Sequence, residues 1–417
     1  MNRIFFLFLF VTVSSFAQSD FQYSDRVYLP HIKSVQFHHQ GLETSQPIID
    51  LNSNGRLMLR FDDILGGDRN YSYKIVHCDK DWNPSDLVEM EYLDGFNDEE
   101  IDNYEYSRGT VVDYTNYQLS LPNEDTRWRL SGNYLLIIKD EDSDELAITR
   151  RFMVVDPKVS IGAQVTRPIR ANRVGSHHEI DLAVNHKNFP IQNPQREIFV
   201  TIMQNGRWDH ALKNITPRFV TGFDINFDQA NQYLFSGSKE FRGVDLRSIR
   251  SRGFGVHSID RYSDGVDVLM ELDETRLNRP YFDYDDLDGQ YIIESLEDDN
   301  FTTECEYVNV YFALSSPRRI PNSDVCVFGA LTNWECNSEN TLRYDPDRQI
   351  YFGSIILKQG YYDYLYVVKN GDDLDYDYFE GSDFATANQY TALVYLRSFG
   401  ERYDQLIGVT NFQSGIR

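Results

Sequence analysis

The densest run of reactive side chains is VHCDKDWNPSDLVEMEYLDGF at 76–96. It holds His77, Cys78, Trp82, two glutamates and four aspartates in 21 residues. Such a set suggests zinc or thiol chemistry, which needs three or four ligands on a fixed frame. His77 and Cys78 are adjacent, so on a strand they point to opposite faces and do not share one metal. The stretch reads better as a shaped loop. Asn83-Pro84-Ser85 makes a turn, Ser85 or Asp86 caps a short helix, and Trp82, Leu87, Tyr92 and Phe96 pack beneath it.

Other candidates are weaker. His38-His39 and His177-His178 lack an HExxH frame, and no CxxC, GxSxG, P-loop or GxGxxG pattern occurs. With 65 acidic residues, carboxylate pairs arise by chance at almost any spacing. Two acid-rich loops, DYDDLDGQ at 283–290 and NGDDLDYDYFEG at 370–381, have oxygens that suit calcium, but neither fits the EF-hand pattern. No cofactor is implied, and the chain reads as a non-enzyme.

The elements around these residues are strands. Tyr and Phe number 28 and 27, and short β-rich runs alternate with turns at 52–55, 66–68, 205–206, 263–265 and 370–373. Helical periodicity is confined to 84–92 and 245–252. A hairpin is expected from 134–139 and 147–155, running out into Asp156-Pro157. The fold class is therefore all-β, as three consecutive immunoglobulin-like or E-set-like β-sandwich domains at 18–156, 157–298 and 299–417.

The first residues, MNRIFFLFLFVTVSSFAQ, read as a signal peptide over 1–17, cut after Ala17. No other apolar run is long enough to span a bilayer, so direct membrane insertion is not expected. The formal charge of −25 and the lack of a basic stripe argue against nucleic acid. Of the four cysteines, Cys78 is expected to be a buried free thiol. At most one bridge forms among Cys305, Cys326 and Cys336, and whether Cys326 and Cys336 pair stays open.

Two resemblances add to this reading. VFGALTNW, then Tyr351, then LKQGYYDYLYVV is similar to glycogen-binding-type β-sandwich modules, which makes Trp334 the natural sugar-stacking candidate. The aromatic expected after Gly329 is displaced, so the match speaks for the fold more than for the ligand.

The second resemblance spans 34–408. SQPIIDLNSNGRLMLRFDDILGG, YSYKIVHCDKDWNPSDLVEMEYLDGFNDEEIDNYEYS, YQLSLPNEDTRWRLSGNYLL, TRRFMVVDPKVSIGAQVTRP, QNGRWDHALKNITP and ANQYTALVYLRSFGERYDQLIG follow in order. Together they resemble the Plug protein family of the type IX secretion system. The resemblance implies export to the periplasm and peripheral association with the outer membrane. It also implies binding to the periplasmic end of the translocon barrel, closing its channel when no substrate is present. No family residue is carried over. The loop at 76–96 then offers Trp82, Tyr92 and Phe96 as docking candidates. The alternative reading is a periplasmic glycan-binding protein acting through its C-terminal module.

Overall fold

A computed structural model describes residues 21–415. The signal peptide expected at 1–17 lies outside the described residues. Strands dominate, and the all-β expectation holds. Among the described residues the few helices are single turns: Glu89–Tyr92, Pro194–Glu197 and a 3-10 turn at Ala330–Thr332. The helix expected at 245–252 is absent, because Arg242–Asp245 is a strand and bends follow it. Among the described residues no helix is long and apolar enough to cross a membrane.

The first core lies between two sheets. One contains Tyr71–Cys78, Gly132–Asp140 and Glu145–Val155; the other contains Ile32–His39, Leu57–Asp63 and Thr115–Leu121. Leu59, Phe61, Tyr117, Ile75, Leu136 and Phe152 fill the space between them. The expected hairpin forms, with Tyr134 opposite Phe152. Its strands read as near-continuous apolar runs because both faces of their sheet are covered. The far face packs Leu135, Met153 and Val155 against Met203, Leu393, Tyr395 and Leu406.

The second core shows where the chain departs from a consecutive division. Ile198–Gln204 pairs along its length with Gln389–Leu396, which pairs in turn with Gln405–Gln413. Ile198, Val200 and Ile202 share a core with Ile180, Leu182, Tyr390, Val394 and Ile407. The third core draws on Val244, Val256, Val268 and Ile293 as well as on Val310, Val327 and Tyr366. The sandwiches expected at 157–298 and 299–417 are thus corrected. The third core is built from a segment set inside the second, and the chain returns afterwards to finish the second. Alternation along a strand tells which face is buried but not which strand lies beside it.

The two crossings between these cores run side by side. Asp383 donates its backbone N–H to the Ser238 carbonyl, Thr386 Oγ1 donates to the same oxygen, and Asn388 Nδ2 donates to the Gly237 carbonyl. The first and third cores are joined by a buried polar network. Lys358 Nζ lies 2.7 Å from Asp62 Oδ2, with the two side chains 2% and 1% exposed. Tyr307 donates its hydroxyl to the same Asp62 oxygen at 2.7 Å, and Asn116 Nδ2 donates to Asp62 Oδ1 at 2.7 Å.

Candidate functional site

The stretch at 76–96 starts on a central strand and ends at the surface. His77 and Cys78 do face opposite ways. The His77 ring packs on Tyr134 (4.9 Å), Tyr403 (5.6 Å) and Tyr92 (5.7 Å), with Ser85 Oγ 3.0 Å from Nδ1 and the Ser131 carbonyl 3.4 Å from Nε2. Cys78 belongs to the apolar cluster between the first and second cores. Burial pushes its thiol up to about 12, so it stays protonated and a poor nucleophile. Among the described residues no group of three or more His, Cys, Asp or Glu side chains converges as a metal requires.

Burial also pulls His77 down to about 4, against smaller upward pulls from the Ser131 carbonyl and Asp79. The unfolded chain takes up this proton below its ordinary value while the folded chain refuses it. The stability from neutral His77 is therefore complete above pH ~6.5 and is lost as pH falls toward 4, by roughly 3 kcal/mol. Urea unfolding at pH 7.5 and 4.5 measures this. His77→Gln is expected to flatten the slope, and an unchanged slope would remove His77 from the account.

Asp79 shapes the loop. Its Oδ1 accepts the backbone N–H groups of Asp81 and Asn83, at 2.9 and 2.8 Å. This Asx-type turn holds Trp82 at φ +70° and sends its indole inward. There it meets Trp208 edge to face at 5.0 Å, and the Arg151 guanidinium lies over it at 4.6 Å. The helix begins later than expected. Neither Ser85 nor Asp86 caps it; Val88 occupies the N-cap position with no side-chain cap, and the Glu91 carboxylate accepts the Val88 N–H at 2.8 Å. That bond, with Arg402 beside it, holds the Glu91 carboxyl below its usual range.

The docking candidates separate. Trp82 and Tyr92 are buried, so neither offers a surface; Tyr92 instead donates its hydroxyl to the Ile75 carbonyl. Both are corrections with one cause, since the aromatics that back a loop are consumed by its core. Phe96 is exposed. Trp334 is half-buried and makes no open sugar platform. Arg207 lies over its ring at 4.9 Å, and Phe328 and Phe241 meet it edge-on at 5.5 and 6.0 Å. The ring lies so close to Gly289, at φ +81°, that a Cβ there would fall 2.3 Å from it. Cys326 and Cys336, beside it, are bonded to each other, while Cys78 and Cys305 are free and buried.

The acid-rich loops are committed to the fold. Asp363, raised to about 8 mainly by burial, accepts the Leu287 and Gly289 N–H groups and holds the 283–290 loop in place. In the other loop Glu380 pairs with Arg242 and Arg276, and Asp377 accepts from Ser236 and Ser238.

The loop presents apolar side chains outward among its acidic ones. Val88, Met90 and Phe96 are all exposed, and so is Phe399 on the connection between Gln389–Leu396 and Gln405–Gln413. The two loops touch: Arg402 pairs with Glu91, and its other nitrogen donates to the Asp86 carbonyl at 3.1 Å. Arg129 braces the same loop through Asp94 (2.7 Å) and the Met90 carbonyl (3.3 Å). Phe399 escaped the sequence reading, although a phenylalanine between serine and glycine, past an apolar run, carries the signal of a loop tip.

Comparison with known proteins gives this arrangement a family. A family model described as type 9 secretion system plug protein 1st domain matches residues 32–156. A crystal structure of a hypothetical protein from Parabacteroides merdae is 31% identical, with a TM-score of 0.90 over 95% of this chain and 100% of that one. The C-terminal domain of the Streptococcus pyogenes antigen I/II-family protein AspA is 8% identical at a TM-score of 0.16, covering 90% of this chain and 98% of that one. Dimeric latent PorU from Porphyromonas gingivalis is 10% identical at 0.15, covering 93% and 34%. No curated protein matches. With the plug first domain at 32–156 and a fold shared with a relative over nearly its whole length, the chain belongs to the type 9 secretion system plug protein family.

Proposed function

We propose that this protein binds the periplasmic end of an outer-membrane translocon barrel of the type 9 secretion system and closes its channel while no cargo occupies it. The observation that carries the reading is the plug first domain at 32–156. Physical features support it. A channel wide enough for protein cargo leaks small solutes, so its stopper must be large and stiff. Here a shared apolar cluster locks the first core to the second, and the Asp62–Lys358 network locks it to the third. Closure is a binding event and requires no catalysis by this chain. The stopper must also leave, which suits a small set of apolar anchors inside a polar, charge-tuned rim better than a large dry interface.

Affinity capture of the tagged protein from detergent-solubilised outer membranes tests the reading. One very large barrel protein is expected, and deletion of the plug is expected to raise outer-membrane permeability to bulky solutes. Capture of no secretion-system barrel, with permeability unchanged, overturns it.

A further inference from the structure

We propose that Val88, Met90, Phe96 and Phe399 form the surface that seats this protein on the channel, and that the occupant is an apolar crevice of the channel protein flanked by lysine or arginine. This inference rests on the function proposed above and assigns its contact. The four side chains are 65%, 80%, 68% and 100% exposed, and none is needed by a core. Methionine and aromatic residues set in a polar surround are the composition of interface anchors.

The patch is built rather than loose. Arg402 ties the Phe399 loop to the helix turn. On the other side of that loop, Glu197 Oε1 accepts the Phe399 N–H at 3.3 Å, and the Glu197 carbonyl accepts the Arg397 N–H at 2.8 Å. Phe399 is thus held outward on a braced backbone, which lowers the ordering cost of docking. The first and second cores contribute one loop each, so the surface exists only while they stay locked together.

Charge selects the occupant. The same loops carry Asp86, Glu89, Glu91, Asp94, Asp98 and Glu401. Of the nearby arginines, Arg129 and Arg402 are already paired with Asp94 and Glu91, and Arg127, opposite Asp94 in the strand pair, still leaves the six acids in excess. The rim is therefore net acidic. A second copy would bring acid against acid, and an anionic lipid surface is repelled likewise. A partner with basic groups around an apolar crevice is attracted on approach and filled on contact.

The test uses the full-length protein and the channel protein purified in detergent. Met90→Asp/Phe399→Asp is expected to weaken binding by a factor of about 100 or more, since two anchors are lost at once. Its thermal unfolding is expected to match the wild type, because both positions are exposed. Ile169→Asp, exposed on the connection between Ser160–Thr166 and His177–Asn185, is expected to bind as the wild type does. Undiminished binding by the double variant overturns the surface while leaving the proposed function standing. Failure of the wild type to bind overturns both. A wild-type dimer in sedimentation that the double variant abolishes assigns the patch to self-association and also overturns the proposal.

Discussion

Lys358→Met is expected to lower the unfolding free energy by about 3–5 kcal/mol, because it strands a carboxylate where water does not reach. Lys358 Nζ bonds Asp62 and the Thr302 carbonyl and lies 4.0 Å from the Tyr114 ring centroid. Without it, Asp62 keeps only Tyr307 and Asn116 as donors, which do not balance a buried charge. Removing the charge as well, in Asp62→Asn/Lys358→Met, is expected to recover much of the loss, since a buried pair often breaks even against neutral groups. Urea unfolding of the four members of this cycle gives the coupling energy directly. Because the pair joins the first and third cores, the single variant is also expected to split one transition into two. A loss below about 1 kcal/mol would place the tie elsewhere.

Trp82→Ala is expected to cost about 3–5 kcal/mol, the range for an aromatic removed from a packed core. The indole sits where the first and second cores meet, against Trp208 and beneath Arg151. Its Nε1–H has no hydrogen-bond partner, so Trp82→Phe removes an unsatisfied donor along with some volume and is expected to cost clearly less than alanine. Limited proteolysis separates the two effects of the alanine variant. Cleavage near 156–158 is expected to accelerate as the cores loosen. Equal stability of the phenylalanine and alanine variants would show that ring packing is not what holds the junction.

Local structure was legible where the signal is local. Asn205-Gly206 makes its turn with both residues at positive φ, and Gly371 does so in the turn after strand Gly360–Asn370. The opposite-facing pair His77 and Cys78 follows from the two-residue period of a strand. What stayed hidden was long-range partnering. Nothing in IFVTIMQ announces that its neighbour is QYTALVYL, since both read as buried strands that any sheet would accept. The candidate site was half legible for the same reason. The stretch at 76–96 forms a shaped loop, but which of its aromatics turn inward depends on surfaces distant in sequence: Trp82 packs with Leu393, Tyr395 and Leu406, and Tyr92 packs in the first core. The large rings looked like the contacts; the flexible Met90 and the lone Phe399 are what the fold leaves outside.

The inserted topology imposes an order on biogenesis. A ribosome delivers the chain from its N-terminus, so Ile198–Gln204 appears long before its partner at 389–396. Until then that apolar strand has an open edge, a template for wrong pairing. The third core, whose strands lie within 242–375, can close during the wait; the second cannot. A chain truncated before 389 forfeits the second core and, with it, the braced Phe399 loop.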